Sequence, residues 1–205
     1  MKDLTFYTNP MSRGRIVRWM LEEVGQPYDT VLLDFDGTMK EASYLSINPM
    51  GKVPVIRHRD TVVSEAAAIC AYLADAFPKM KLAPPPDERG AYYRWLFFAA
   101  GPLEAAVTAK ALGLLAPPEK RGMAGYGTFE TTVDTLEAAV AGREFVAGEH
   151  FTAADVYVGS QIGWGLMFGT IDKRKAFADY VGRLRARPAA QRASAMDDAA
   201  MPKKA

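Results

Sequence analysis

The chain has 205 residues, of which 49% are apolar, with 25 Lys+Arg against 24 Asp+Glu. The near-balance of charge excludes a bulk electrostatic pull toward nucleic acid or an anionic membrane, and the apolar content excludes a disordered chain. The single cysteine, Cys70, excludes an intrachain disulfide, and with only His58 and His150 it cannot build a zinc cluster. Met1 is followed within three residues by LTFY, with no charged and apolar leader expected, and no apolar run reaches the roughly 18 residues of a membrane span. The expectation is a cytoplasmic protein.

Leu4–Tyr7 reads as a short apolar strand, broken by Asn9-Pro10. Ser12 is a good N-cap for a helix in which Ile16, Val17, Met20, Leu21 and Val24 recur at helical spacing. Gly25 and Pro27 stop it. Tyr28–Leu33 follows as a second strand. Asn48-Pro49-Met50-Gly51 turns into a strand at Val53–Ile56, and Arg59-Asp60 turns that strand into Thr61–Val63. A second helix opens at Ser64, with Ala68, Ile69, Tyr72 and Leu73 on one face. The order β-α-β, loop, β-β-α predicts a small α/β domain over residues 1–78.

Prolines crowd the segment from Phe77 to Pro86, which places a linker at 79–86. Strand signals then fade, and residues 87–205 read as all-helical. Helices are predicted over Asp87–Leu115, with a kink at Gly101-Pro102, and over Thr128–Val140 and Thr152–Met167. Thr152 and Asp155 have the form of a capping box, with Phe151 as its staple residue. Ala176–Arg185 and Ala189–Ala195, separated by Pro188, complete the set before the polar tail Met201–Ala205.

Four stretches taken together resemble the cytosolic glutathione transferase superfamily, in its bacterial type with serine at the sulfur-contacting position. They are Tyr7–Arg15, Asn48–Val55, Ser64–Leu73 and Gly148–Asp155, and Arg183–Ala189 also fits the superfamily's late-helix pattern. The resemblance implies a thioredoxin-like, glutathione-binding N-terminal domain followed by an all-helical C-terminal domain. It further implies glutathione as co-substrate, a small hydrophobic electrophile as the other reactant, a detoxifying transferase activity and a homodimer. Neither nucleic acid nor a membrane is an expected partner.

Such a site must first supply a donor to the sulfur. A thiol of pKa about 8.5 is only roughly 3% ionised at pH 7. Lowering that pKa by about two units, for some 2.7 kcal/mol, raises the thiolate fraction roughly 25-fold. A hydroxyl at a helix N-terminus, where the dipole favours negative charge, suits the task. Ser12 is so placed, and its oxygen can cap the helix while its proton faces the sulfur. Tyr7 is the rival, since some branches use a tyrosine at the first strand's end; its alternative is a core strand residue.

The resemblance also implies that Pro54 is cis and that Val53 pairs with the cysteinyl backbone, the alternative being an ordinary trans proline at a strand start. Glu65 takes the γ-glutamyl ammonium while the N–H of Ala66, with Ser64, takes the carboxylate. The superfamily usually has serine where this chain has Ala66, so one hydrogen bond is missing. Met11 lies beside the pocket, and Lys52 or Arg13 pairs with the glycyl carboxylate. Cys70 reads as a buried inert thiol and Asp155 as structural. Three functions stay open: thiolate conjugation, a glutathione-dependent isomerase, dehalogenase or peroxidase, and a non-catalytic binding protein on the same fold.

Overall fold

A strand that alternates buried and half-buried residues must be covered on both faces, and β1 (Leu4–Thr8) shows that pattern. It lies inside a four-stranded sheet of order β2-β1-β3-β4, with β2 (Asp29–Leu32), β3 (Val55–His58) and β4 (Thr61–Ser64). The computed structural model describes residues 3–202. β1 runs parallel to β2 and antiparallel to β3, which in turn is antiparallel to β4. The predicted β-α-β, β-β-α order is thereby realised as a thioredoxin-like mixed sheet.

Helices α1 (Gly14–Val24) and α3 (Ala66–Ala76) pack together beside the sheet. α1 is strongly amphipathic, burying Ile16, Val17, Met20, Leu21 and Val24 as the spacing requires. It ends at Gly25, whose left-handed φ of 67° lets its N–H reach the Leu21 carbonyl at 2.9 Å. It starts two residues later than Ser12. Arg13 is the N-cap position, without a side-chain bond. The second predicted helix is also shorter at its start: Ser64 ends β4, Glu65 caps, and α3 begins at Ala66. On the other side of the sheet a short helix α2 (Ala42–Leu45) carries Tyr44 into a cluster with Leu33, Met39 and Val55, against which Tyr7, Ile47 and Val53 pack. α2 falls in the stretch the sequence predicts as loop, because four residues carry no periodicity.

The compact units do not follow chain order. One runs to Leu82 and resumes at Arg187; the other is Ala83–Ala186. The second unit begins inside the predicted linker, but the last predicted helix, expected to be part of the all-helical half, belongs with the sheet. That helix, α9 (Pro188–Ala199), packs on α1. Four ion pairs join them: Arg15–Asp198 at 2.8 Å, Arg18–Asp197 at 2.6 Å, Glu22–Arg192 at 3.0 Å and Glu23–Arg187 at 2.7 Å. Arg18 and Asp197 are both buried, and the Arg18 guanidinium also lies 5.1 Å from the Phe6 ring centroid. Of the predicted tail, residues 203–205 lie outside the described ones.

The other unit is helical throughout: α4 (Gly90–Phe98), α5 (Glu104–Ala111), α6 (Phe129–Val140), α7 (Ala153–Phe168) and α8 (Lys175–Arg185). The kink expected at Gly101-Pro102 is a π-helical turn at Ala99–Leu103, which absorbs the missing proline N–H with one wider loop. The long helix stops at Ala111 rather than Leu115. α7 is its core, with Asp155 taking four hydrogen bonds, from the Val146 and Thr152 amides and the Thr152 and Tyr180 hydroxyls. That satisfied, fully buried carboxylate is structural, as expected, and the capping box forms. Among the described residues no helix is long and apolar enough to cross a membrane.

Candidate functional site

Strand register brings the predicted segments to one end of the sheet. Tyr7 lies opposite Val55, and Val55 lies opposite Ser64. The turn after β1, the turn before β3 and the start of α3 therefore share one edge. Both α1 and α3 begin there, so two helix N-termini favour an anion at that edge.

The turn after β1 is built by Asn9. Its Nδ2 donates to the Leu33 carbonyl at 2.8 Å, and its Oδ1 accepts the Met11 N–H at 2.9 Å. Its carbonyl accepts the Ser12 N–H at 3.1 Å and the Ser12 O–H at 2.7 Å. The Ser12 oxygen in turn accepts the Gly14 N–H at 3.0 Å. Ser12 thus caps from one residue before the N-cap position, and its hydroxyl proton rests on Asn9. To reach a sulfur the hydroxyl must rotate off that carbonyl, giving up a neutral hydrogen bond of about 0.5–1.5 kcal/mol. Met11 and Arg13 are exposed on either side. Tyr7 points to the opposite packing, its ring 5.8 Å from that of Tyr44 in the core cluster.

Val53-Pro54 is a cis peptide. The residue before it is held firmly: the Lys52 carbonyl accepts the Tyr44 hydroxyl at 2.6 Å and the Asn48 amide at 2.8 Å. Burial pushes the Tyr44 phenol up to about 12, so it is a neutral donor at any working pH. Val53 precedes β3 and is half-buried, and the Lys52 side chain is exposed. Lys40 reaches the Gly51 carbonyl at 2.9 Å, adding a second cation to this turn.

Glu65 has φ 67° and ψ 115°, in a region that a non-glycine residue enters at a cost of order 1–3 kcal/mol. It is exposed, while Ala66 behind it is buried and Ser64 half-buried. This strained residue immediately precedes the first amides of α3, at the same end of the sheet. Ser12, Val53, Pro54, Ser64, Glu65 and Ala66 are all brought to this end. Asn9, Lys40, Tyr44 and Asn48 were not anticipated as builders of the site. The Asn9-Pro10 and Asn48-Pro49 pairs mark the turns, but the carbonyls to which their side-chain amides donate lie 24 and 4 residues away. Cys70 is fully buried in α3, and burial pushes its thiol far up, which leaves it inert.

A thioredoxin-like sheet with this site at its edge, in a chain that also carries a helical unit, defines a glutathione-transferase-like class of protein. Residues 11–76 match the N-terminal domain family of glutathione S-transferases. Glutathione S-transferase GstA of Escherichia coli O157:H7 is 27% identical over 179 residues, 83% of this chain and 87% of its own. A glutathione transferase structure from Methylococcus capsulatus str. Bath is 28% identical, with a TM-score of 0.78 over 96% of this chain and 99% of that one. A sphingomonad glutathione S-transferase, solved in complex with glutathione, is 26% identical with a TM-score of 0.75, over 95% and 98%. Its N-terminal part thus matches the glutathione S-transferase family, and the chain as a whole is similar to glutathione transferases in sequence and in fold.

Proposed function

We propose that this protein binds glutathione at the described edge and stabilises its thiolate with Ser12 as hydrogen-bond donor while the thiol proton is lost to solvent. It conjugates the sulfur to the electrophilic carbon of a small hydrophobic reactant, displacing a leaving group such as chloride where the carbon bears one. The register Tyr7–Val55–Ser64 carries the reading, because it brings a hydroxyl, a strand-like backbone and a carboxylate to one edge. The tripeptide runs along Val53 as an added strand, its backbone pairing with the Val53 N–H and C=O. Glu65 takes the γ-glutamyl ammonium, the first amides of α3 with Ala66 and Ser64 take its carboxylate, and Lys52 or Arg13 takes the glycyl carboxylate. Holding the thiolate beside the electrophile is a proximity and nucleophile-activation mechanism. The exposed pair Tyr93 and Phe97 on α4, rings 6.5 Å apart, supports a homodimer, which light scattering would report as twice the 22.4 kDa chain mass. A cytoplasmic detoxifying role follows the same reading.

Ser12→Ala tests it. Turnover against a chloronitrobenzene electrophile at pH 7 falls at least about tenfold, and glutathione affinity by calorimetry changes little. Glu65→Ala raises the Michaelis constant for glutathione more than it lowers turnover. Unchanged turnover in Ser12→Ala together with its loss in Tyr7→Phe would give the sulfur to Tyr7. Glutathione binding with no turnover on any electrophile would point to a binding protein.

A further inference from the structure

We infer that Arg15 is a positioning residue for the Ser12 turn, and that Asp198 of the C-terminal helix holds Arg15 in place. The Arg15 Nε–H donates to the Pro10 carbonyl at 2.6 Å, and its Nη2 lies 2.8 Å from the Asp198 carboxylate. Pro10 sits in the turn that Asn9 opens and Ser12 closes. Of the other rungs of the α1–α9 ladder, that of Arg18 runs on to the Tyr28 and Thr30 hydroxyls, away from the Ser12 turn. The Arg15 rung continues past α1 onto the backbone two residues from Ser12. The Asp198 side chain is 63% exposed and that of Arg15 is 27% exposed, so the pair contributes little to stability. Its effect is geometric: the planar guanidinium offers two donors at a fixed separation, so anchoring one at Asp198 fixes where the other holds Pro10. The last helix of the chain thereby sets the direction of its first catalytic turn.

The inference rests on the assignment of Ser12 above, but it can be read without glutathione. In the full chain carrying Ser12→Cys, the rate of alkylation by iodoacetamide against pH reports the pKa of a thiol at this helix N-terminus. Arg15→Lys keeps the charge but offers one nitrogen where two are needed. It is expected to raise that pKa by about half to one unit, slowing alkylation below the pKa roughly three- to tenfold. Asp198→Asn, on an exposed side chain that leaves the fold intact, shifts it in the same direction by a smaller amount, about two- to threefold in rate. A merely structural Arg15 would lower the melting temperature and leave the thiol's profile where it was. A parent-like profile in Arg15→Lys would reduce the role to charge and overturn the inference, as would coincident profiles for all three proteins. If Ser12→Cys does not fold, the pH profile of kcat/KM for Asp198→Asn in the unsubstituted chain replaces it, with the same upward shift expected and an unshifted profile refuting. Failure of the parent to generate thiolate absorbance with glutathione would defeat the proposed function while leaving the alkylation result standing.

Discussion

Gly14 opens α1 because of room rather than backbone freedom. A Cβ placed on it would lie 1.9 Å from Thr8 Oγ1, 3.1 Å from Thr8 Cβ and 3.0 Å from Ser12 Oγ. Thr8 is fully buried at the end of β1, and its hydroxyl has no hydrogen-bond partner among the described residues. In Gly14→Ala the first overlap must be relieved by moving the strand end or the helix start, an overpacking cost of about 1–3 kcal/mol. The gain in helix propensity offsets at most about 1 kcal/mol. A net loss of about 1–2 kcal/mol would lower the melting temperature by roughly 2–8 °C in a chain of this size. Thr8→Ala deletes the clashing atom and a hydroxyl that makes no hydrogen bond, so the double variant should recover most of the loss. The coupling should amount to about 1–2 kcal/mol in a double-mutant cycle followed by urea denaturation. Thr8→Val fills the same space and should recover nothing. A neutral Gly14→Ala, or equal rescue by alanine and valine at position 8, would refute the steric account. Because the Gly14 N–H also bonds Ser12 Oγ, the single variant should lose thiol activation along with stability.

Asp197→Ala should cost about 3–5 kcal/mol, since it leaves the buried Arg18 cation without its carboxylate; urea midpoints of the variant and of Arg18→Met/Asp197→Leu test this, the double replacement being far milder. Tyr44 should make stability fall at high pH. Its phenol is raised from 10 to about 12 by burial, so the neutral form's contribution is complete below about pH 10 and is lost as pH rises through 12. The full effect is roughly 2–3 kcal/mol. Denaturation of the parent beside Tyr44→Phe across that window should show the parent losing ground, and a constant difference between them would remove the cause.

The sheet and its flanking helices could be read from local signals, because each rests on a short-range pattern. The alternation of β1, the heptad-like stripe of α1, its Gly25 stop and the Thr152–Asp155 capping box are all decided within a few residues. The chemistry at positions 12, 53, 54 and 65 was legible only through resemblance to a superfamily, since one serine, one proline and one glutamate specify nothing alone. The tertiary structure decided what depends on residues far apart. It set the Tyr7 ring against that of Tyr44, and it gave the Ser12 proton to Asn9. It put Glu65 in a left-handed conformation that no sequence window demands, and it tied Lys52 to Tyr44 and Asn48. It also returned α9 to α1. Polar residues at 187, 192, 197 and 198 look like an ordinary solvated helix until the complementary charges at 23, 22, 18 and 15 lie against them. Pairing across some 160 to 180 positions leaves no local trace, because each partner alone satisfies every rule for an exposed helix.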